Sequence, residues 1–462
     1  MMTGHRVILL EFNELSPSLM HRFMAAGELP NFQRLYRESL VYVTEAEERA
    51  PYLDPWIQWV TAHSGLNYRD HRILHLDEGE NLPEKQLWDL VSDAGLSVWV
   101  CGSMSVAYHE PLNGLVLPDP WTTKVRPYPS ELEPFFRFVQ KSVLEHTNDE
   151  TPLTKADYLQ FVGFIIRHGL SLKTVGAIVH QLLSEALGTS RWKRAALLDK
   201  LQFDVFSWYY RKKNPRFSTF FSNSTAHYQH LYWREMEPEF FRIQPSQKKR
   251  AAYETAIRFG YQEMDKLLGR FLEMAGGDTT LVFCTAISQQ PCLIYEDQGG
   301  KVAYRPRELS KLMQFAGVSG PHSLAPVMAE EFNAYFQNED DAKQAEQKLA
   351  ALTVDGLPAL MVQRTGVQLH AGCWLNQPLP KDTRLCIDGA PIGVPFFDLF
   401  YQIEAIKSGM HHPDGMLWIR TPARRHLVQD EKVPLCSVAP TILAMFPLPR
   451  PNYMKGPVLE HC

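Results

Sequence analysis

The first thirty residues pass from an apolar run into a polar turn and then into a helical pattern. Arg6–Phe12 is a short apolar run that opens onto Asn13 and Glu14, which predicts a buried parallel strand followed by a turn. Ser16 and Pro17 then stand in the order of a helix N-cap and a first helical residue. Polar groups in such a turn lie at the carboxyl end of the strand, where open α/β sheets bind ligands.

The same alternation of short apolar runs and helical patterns continues along the chain. Helical spacing of apolar residues predicts helices over Ala252–Met274 and Pro395–Lys407. Further strands are predicted at Leu40–Glu45, Leu96–Cys101, Phe217–Ser222, Thr279–Thr285 and Met416–Ile419. This alternation predicts a three-layer α/β/α domain with a mainly parallel central sheet.

Two stretches depart from the alternation. Residues 128–213 carry helical patterns only, and Leu159–Leu187 is apolar on much of its circumference. We expect a helical insertion packed on the core; the alternative is a cap that shapes a substrate pocket or touches a membrane surface. A smaller variable insertion is predicted at residues 318–352. The α/β core is therefore assigned to residues 1–127 and 214–462.

Composition and charge narrow the class of protein. The chain has 462 residues, 45% hydrophobic and 21% charged, with a net charge of −5, which is typical of a globular protein and not of a nucleic-acid binder. Its seven cysteines are scattered and contain no CxxC, so neither a disulfide framework nor a thiolate zinc site is expected. The run Val7–Leu10 is too short for a signal peptide, and no run approaches the roughly 20 apolar residues of a membrane span. The sequence therefore predicts a cytoplasmic location.

Five blocks follow one another in a recognisable order: VILLEFNELSPSLMHRFMAAGELPNFQRL, PWIQWVTAHSGLNYRDHRI, TAHYQHLYW, YQEMDKLLGRFLEMAGGDTTLVFCTA, and GMHHPDGMLWIRTP with SVAPTILAMFPLPRPNYMKGPVL. Together they resemble the alkaline-phosphatase superfamily, most closely its type I phosphodiesterase/nucleotide-pyrophosphatase branch. The blocks extend over nearly the whole chain and leave only the insertions unmatched. The resemblance implies the alkaline-phosphatase-like α/β fold.

The resemblance also implies where a metal site should lie. In this superfamily two divalent ions, held by Asp and His, clamp the attacking and leaving oxygens of phosphoryl transfer. His230 and His411 fall on two of the family histidines. The other five usual positions carry residues that depart from the pattern: Asn13, Pro55, Ala226, Ile287 and Ser288. A two-metal site is therefore not expected, and one divalent ion, zinc or manganese, is predicted at His230, His411 and a carboxylate.

Neighbouring histidines extend the list of candidate ligands. His227 lies three residues before His230, on roughly the same face of a helix, and His412 adjoins His411. Asn13, on the position of the first family Asp, can offer only a neutral amide and is predicted to bind substrate.

Four further residues are candidates for acid/base or nucleophilic chemistry. Glu11 lies two residues before Asn13 on the same strand face, whereas Glu14 either joins the site or caps the turn. Asp54 either acts as a carboxylate nucleophile or ligand, or serves as the N-cap of a helix that starts at Pro55. His63 lies further along that helix.

These residues predict a hydrolase or transferase that acts on a phosphate ester, a phosphodiester or a related anionic conjugate. The alternative is a catalytically inactive pseudoenzyme that serves as a binding or scaffold module, because five of the seven usual positions are substituted. The predicted partner is a small-molecule or conjugate substrate and not a nucleic acid. Contact with a membrane surface through the helical insertion is a further, weaker prediction.

Overall fold

The computed structural model describes residues 5–145, 153–188, 190–327, 330–388, 393–403 and 406–459. The strands up to residue 300 are β1 (Arg6–Phe12), β2 (Leu40–Glu45), β3 (Val98–Cys101), β4 (Gly114–Leu117), β5 (Phe217–Ser222), β6 (Thr279–Cys284) and β7 (Ser288–Pro291). The later strands are β8 (Tyr304–Pro306), β9 (His322–Pro326), β10 (Glu331–Phe336), β11 (Leu352–Val354), β12 (Leu357–Pro358), β13 (Leu360–Thr365), β14 (Gln368–Cys373), β15 (Arg384–Ile387), β16 (Val394–Pro395), β17 (Phe400–Gln402), β18 (Gly409–His412), β19 (Asp414–Arg420), β20 (Leu427–Val428) and β21 (Val433–Pro434).

The helices before residue 200 are α1 (Pro17–Ala25), α2 (Pro30–Arg37), α3 (Pro55–Ser64), α4 (Tyr68–His71), α5 (Leu87–Asp93), α6 (Glu133–Glu145), α7 (Lys155–Arg167), α8 (Leu172–Leu187) and α9 (Ala195–Lys213). The later helices are α10 (Ser224–Met236), α11 (Gln247–Tyr253), α12 (Ala256–Met274), α13 (Leu309–Phe315), α14 (Glu339–Ala350), α15 (Phe396–Leu399) and α16 (Val438–Ala444). None of the described helices is both long and apolar enough to cross a bilayer.

The central sheet has nine strands in the order β20-β2-β19-β6-β1-β5-β3-β4, with β21 also paired to β2. β1 runs parallel to both of its neighbours, β5 and β6, whereas β19 is antiparallel to β2 and β6. The predicted mainly parallel sheet is therefore confirmed, with one antiparallel strand inserted near an edge.

Side-chain alternation along β1 assigns the two faces of this sheet. Ile8 and Leu10 enter one apolar core, which α1, α2, α9 and α12 cover, whereas Val7 and Leu9 enter a second core under α3, α5 and α16. Because helices bury both faces of the sheet, the carboxyl ends of its parallel strands are the accessible edge for a site.

A third apolar core lies in residues 302–400, where α13 and α14 pack with short strands, including β10, β13 and β14. Within this region the predicted helix over Pro395–Lys407 is wrong. α15 has only one turn, and β17 follows and pairs antiparallel with β8. Phe396 and Phe400 have helical spacing, but strand pairing buries Phe400 equally well.

Helices α6 to α9 occupy most of residues 128–213, and α6 and α7 pack against each other. The predicted variable stretch at 318–352 contains β9, β10 and α14 and contributes to the third core. The exact limits of both insertions stay predictions.

Candidate metal centre

Glu14 lies in the turn directly after β1, with its backbone in the left-handed region at φ 59°. Few residues other than glycine adopt this conformation, and here two hydrogen bonds hold it. The Glu14 amide donates to the Thr285 carbonyl at 3.2 Å, and the Glu14 carbonyl accepts from Gln229 Nε2 at 2.8 Å. The turn thereby places a buried carboxylate at the carboxyl end of the central sheet.

His230 on α10 and His411 on β18 approach this carboxylate from two sides. His230 Nε2 lies 3.3 Å from Glu14 Oε2, and His411 Nε2 lies 2.9 Å from Glu14 Oε1. The ligand atoms of the three residues all lie within 4.8 Å of one another, the one such group of three or more His, Cys, Asp or Glu among the described residues. The structure thus brings the two histidines of the family resemblance together with Glu14. From the sequence alone, Glu14 could either join the site or cap the turn.

The outer nitrogen of each imidazole has its own partner. His230 Nδ1 lies 3.1 Å from the Gly409 carbonyl, which can only accept; with the proton on Nδ1, Nε2 has a lone pair for a metal ion. His411 Nδ1 lies 3.3 Å from Asp54 Oδ1. A carbonyl or carboxylate behind each histidine is the arrangement that orients imidazoles toward metal ions.

Electrostatics couple the three groups. Burial acts to raise the pKa of Glu14, but His411 and His230 outweigh it and hold that pKa well below its usual range. Burial lowers the pKa of His230. Burial opposes the protonation of His411 as well, but the charge of Glu14 and the hydrogen bond to Asp54 raise its pKa to about 9. Without an ion, His411 therefore holds a proton between two carboxylates.

The donor set fits one divalent cation. Glu14 Oε1 is buried 2.9 Å from His411 Nε2, and Glu14 Oε2 lies 3.3 Å from His230 Nε2, so each carboxylate oxygen faces one imidazole nitrogen. Two imidazoles and one carboxylate form a known catalytic zinc ligand set that leaves a coordination position open.

Gln289 completes the surroundings of Glu14 and was not predicted from the sequence. Its Nε2 donates to Glu14 Oε2 at 2.7 Å and lies 3.1 Å from the Ala226 carbonyl. Gln289 on β7 pairs directly with His411 on β18. Only this strand register, which no local pattern encodes, brings the amide to the site.

Asp54 takes the N-cap position of α3, but its side chain makes no capping hydrogen bond. The carboxylate turns to His411 instead and keeps 31% of its side chain exposed. The Asp54 carboxylate therefore contacts the site and does not cap the helix.

Asn13, Glu11 and His63 are engaged away from this group. Asn13 Oδ1 accepts from Trp59 Nε1 and Asn13 Nδ2 donates to Asn223 Oδ1, both at 2.8 Å, so its amide braces the turn. Glu11 Oε1 pairs with His63 Nε2 at 2.8 Å, and both side chains are fully buried. Neither member of this pair belongs to the three-residue group.

The two neighbouring histidines also lie outside it. His227 is exposed on α10, and His412 accepts at Nδ1 from the Asp414 amide at 3.2 Å. Alternation along β18 points His411 and His412 to opposite sides of the strand. At the substituted positions, Ala226 and Ile287 are buried apolar residues.

Comparison with known proteins gives structural neighbours only, because no family model and no curated protein matches this sequence. The wild-type alkaline phosphatase PafA aligns at 10% identity over 99% of both chains, with a TM-score of 0.45. The phosphonoacetate hydrolase from Sinorhizobium meliloti 1021, in complex with phosphonoacetate, aligns at 11% identity over 94% of both chains, with a TM-score of 0.43.

Human ectonucleotide pyrophosphatase/phosphodiesterase 5 aligns at 9% identity over 98% of this chain and 97% of its own, with a TM-score of 0.41. At 9 to 11% identity and TM-scores below 0.5, these are distant likenesses, and they assign no activity to this chain.

Proposed function

We propose that this chain is a metal-dependent hydrolase or transferase that acts on a phosphate ester, a phosphodiester or a related anionic conjugate. The observation that carries the proposal is the convergence of Glu14, His230 and His411 within 4.8 Å at the carboxyl end of the central sheet. The substrate class comes from the resemblance of the five sequence blocks. A cytoplasmic location is part of the proposal, and the six described cysteines, which are all free thiols, are compatible with it.

Glu14, His230 and His411 would hold one divalent ion. When bound, such an ion polarises a phosphoryl oxygen and neutralises charge that develops on it. The two imidazoles favour zinc, and the carboxylate also suits manganese. Because the remaining family positions are substituted, the proposal includes one ion and not two.

The protein's own groups orient this site and move protons in it. The Gly409 carbonyl fixes His230, and Gln289 fixes the Glu14 carboxylate. Lys407 adds positive charge nearby, which acts against protonation of His230 and His411. This charge attracts an anionic substrate to the site.

Asp54 is the proposed acid/base group. It is the partly exposed carboxylate beside His411, and it can accept a proton from an attacking water or hydroxyl at its free oxygen. Pro55, at the usual nucleophile position, has no hydroxyl. We therefore propose direct attack by water or by an acceptor alcohol rather than by a side chain at this position.

Turnover of bis(p-nitrophenyl) phosphate and p-nitrophenyl phosphate by protein loaded with zinc or manganese tests the proposal. We expect wild-type turnover, and a loss of roughly 100-fold or more in kcat for Asp54→Asn, which cannot accept the proton. Asp70→Asn, at an exposed aspartate on α4, is the matched control and should keep wild-type rates.

Metal affinity separates the roles of Asp54. If Asp54→Asn binds zinc as tightly as wild type but turns over slowly, the acid/base role holds. If its only defect is weaker zinc binding, Asp54 merely orients His411. Wild-type protein that binds an ion but turns over no phosphate monoester, diester or phosphonate would overturn the enzymatic proposal and favour the binding-module alternative.

A further inference from the structure

Among the described side chains of helix α8, the two buried ones are polar, whereas most of the exposed ones are apolar. Thr174 and Gln181 are its buried residues, and Gln181 Nε2 donates to the Ser190 carbonyl at 2.8 Å. In contrast, Leu172 is 89% exposed and Leu183 62% exposed. Val175, Val179 and Leu182 are exposed as well. An amphipathic helix on a water-facing surface has the opposite arrangement, so α8 is built to meet an apolar surface.

The preceding helix, α7, continues this apolar exposure. Its exposed side carries Tyr158, Leu159, Val162 and Ile166, while Phe161 packs on Phe138 of α6 with ring centroids 3.9 Å apart. Of the nineteen exposed large hydrophobic residues in the described ranges, nine lie on α7 and α8. Apolar exposure concentrated on two consecutive helices marks a candidate binding surface. We name these nine residues the α7–α8 apolar face.

The exposed charged side chains of α7 and α8 are positive. Between residues 153 and 188 the exposed charged side chains are Lys155, Arg167 and Lys173. The two acidic residues of the stretch are neutralised by partners: Asp157 binds Lys141 at 2.9 Å, and Glu185 pairs with Arg194. On a chain with a net charge of −5, this is a local cationic patch beside apolar side chains.

We propose that the α7–α8 apolar face docks on the surface of an anionic membrane. Apolar side chains enter the boundary between headgroups and acyl chains, while Lys155, Arg167 and Lys173 meet anionic headgroups. A second copy of the chain would bring two cationic patches into one interface, which the charges disfavour. The proposal does not depend on the proposed catalytic activity.

The segment that follows α8 packs on the helix that carries His230. The turn after α8 contains Trp192, whose ring meets Tyr228 of α10 edge-on, with centroids 5.6 Å apart. Tyr228 lies two residues before His230. A membrane-bound α8 would therefore hold the helix that carries His230 near the lipid surface.

Co-sedimentation of the full chain with lipid vesicles tests the proposal. We expect binding to vesicles of phosphatidylcholine mixed with phosphatidylglycerol, weaker binding to pure phosphatidylcholine, and a loss of binding at high salt. The triple variant Leu172→Ser/Leu182→Ser/Leu183→Ser should bind anionic vesicles at least about tenfold more weakly. The matched control, Leu293→Ser/Leu357→Ser/Leu427→Ser, removes three exposed leucines elsewhere and should bind as wild type does.

Circular dichroism verifies that each variant is folded. If the leucine variant does not fold, the charge reversal Lys155→Glu/Lys173→Glu replaces it, with the same expected loss. Absence of wild-type binding to anionic vesicles would overturn the proposal. So would a wild-type dimer in light scattering that the leucine variant makes monomeric, because a second copy would then cover the face.

Discussion

His411 and His412 are adjacent on β18, but only His411 contacts Glu14, with Nε2 2.9 Å from Oε1. We predict that His411→Ala weakens zinc binding by roughly 100-fold or more, because one of three ligands is lost. His412→Ala, the matched control, should bind zinc like wild type, since His412 faces the other side of the strand. Titration calorimetry measures both, and equal losses in the two variants would contradict the proposed ligand assignment.

At the residue scale, the sequence predicted the two histidines as ligands but did not choose among the candidate carboxylates. By resemblance, Asn13 takes the position of a family aspartate. For Glu14 the sequence allows either a site role or a turn cap. The left-handed backbone of Glu14 swings its carboxylate into the site, while the Asn13 amide is taken up by Trp59 and Asn223. A one-residue difference of this kind depends on turn geometry and tertiary hydrogen bonds, which no sequence pattern records.

At the scale of elements, the close approach of β18 to α10 assembles the site. A Cβ added at Gly409 would lie 2.5 Å from both the Gln229 carbonyl oxygen and Gln289 Oε1. We predict that Gly409→Ala lowers the free energy of unfolding by roughly 1 to 3 kcal/mol and weakens zinc binding, since β18 must move away from α10. Chemical denaturation and zinc titration measure the two effects.

Gly277→Ala is the control for that substitution, because a Cβ at Gly277 meets no atom within 4 Å. It should change neither stability nor zinc affinity appreciably. Unchanged zinc affinity in Gly409→Ala, despite a clear loss of stability, would show that the spacing of β18 does not position His411.

Strands predicted from apolar runs agree well with the structure: Arg6–Phe12, Leu40–Glu45 and Phe217–Ser222 are the observed bounds of β1, β2 and β5. Buried parallel strands are continuous apolar runs, which makes them visible in a sequence. The small strands between residues 300 and 400 were not predicted, because short half-exposed strands lack a distinct hydrophobic periodicity. The helical spacing of Phe396 and Phe400 there led to the wrong prediction of a helix.

At the scale of the whole molecule, the ordered blocks predicted the fold class, and the structure confirms a mainly parallel sheet covered by helices on both faces. The candidate metal centre required more, since its three proposed ligands are residues 14, 230 and 411, which meet only through the parallel sheet and the β7–β18 pair. The sequence indicates that α8 is an apolar helix. Which of its sides faces the protein depends on how it packs against α9, and a helical pattern does not give that.

The central claim is that Glu14, His230 and His411 bind one divalent ion, and metal content measured by mass spectrometry tests it most directly. After zinc loading and removal of free metal, wild-type protein should retain one ion per chain, and Glu14→Gln, which keeps the shape but loses the charge, should retain almost none. Both proteins must be folded by circular dichroism. A wild-type chain without zinc or manganese, or a Glu14→Gln variant that retains the full ion, would contradict the claim.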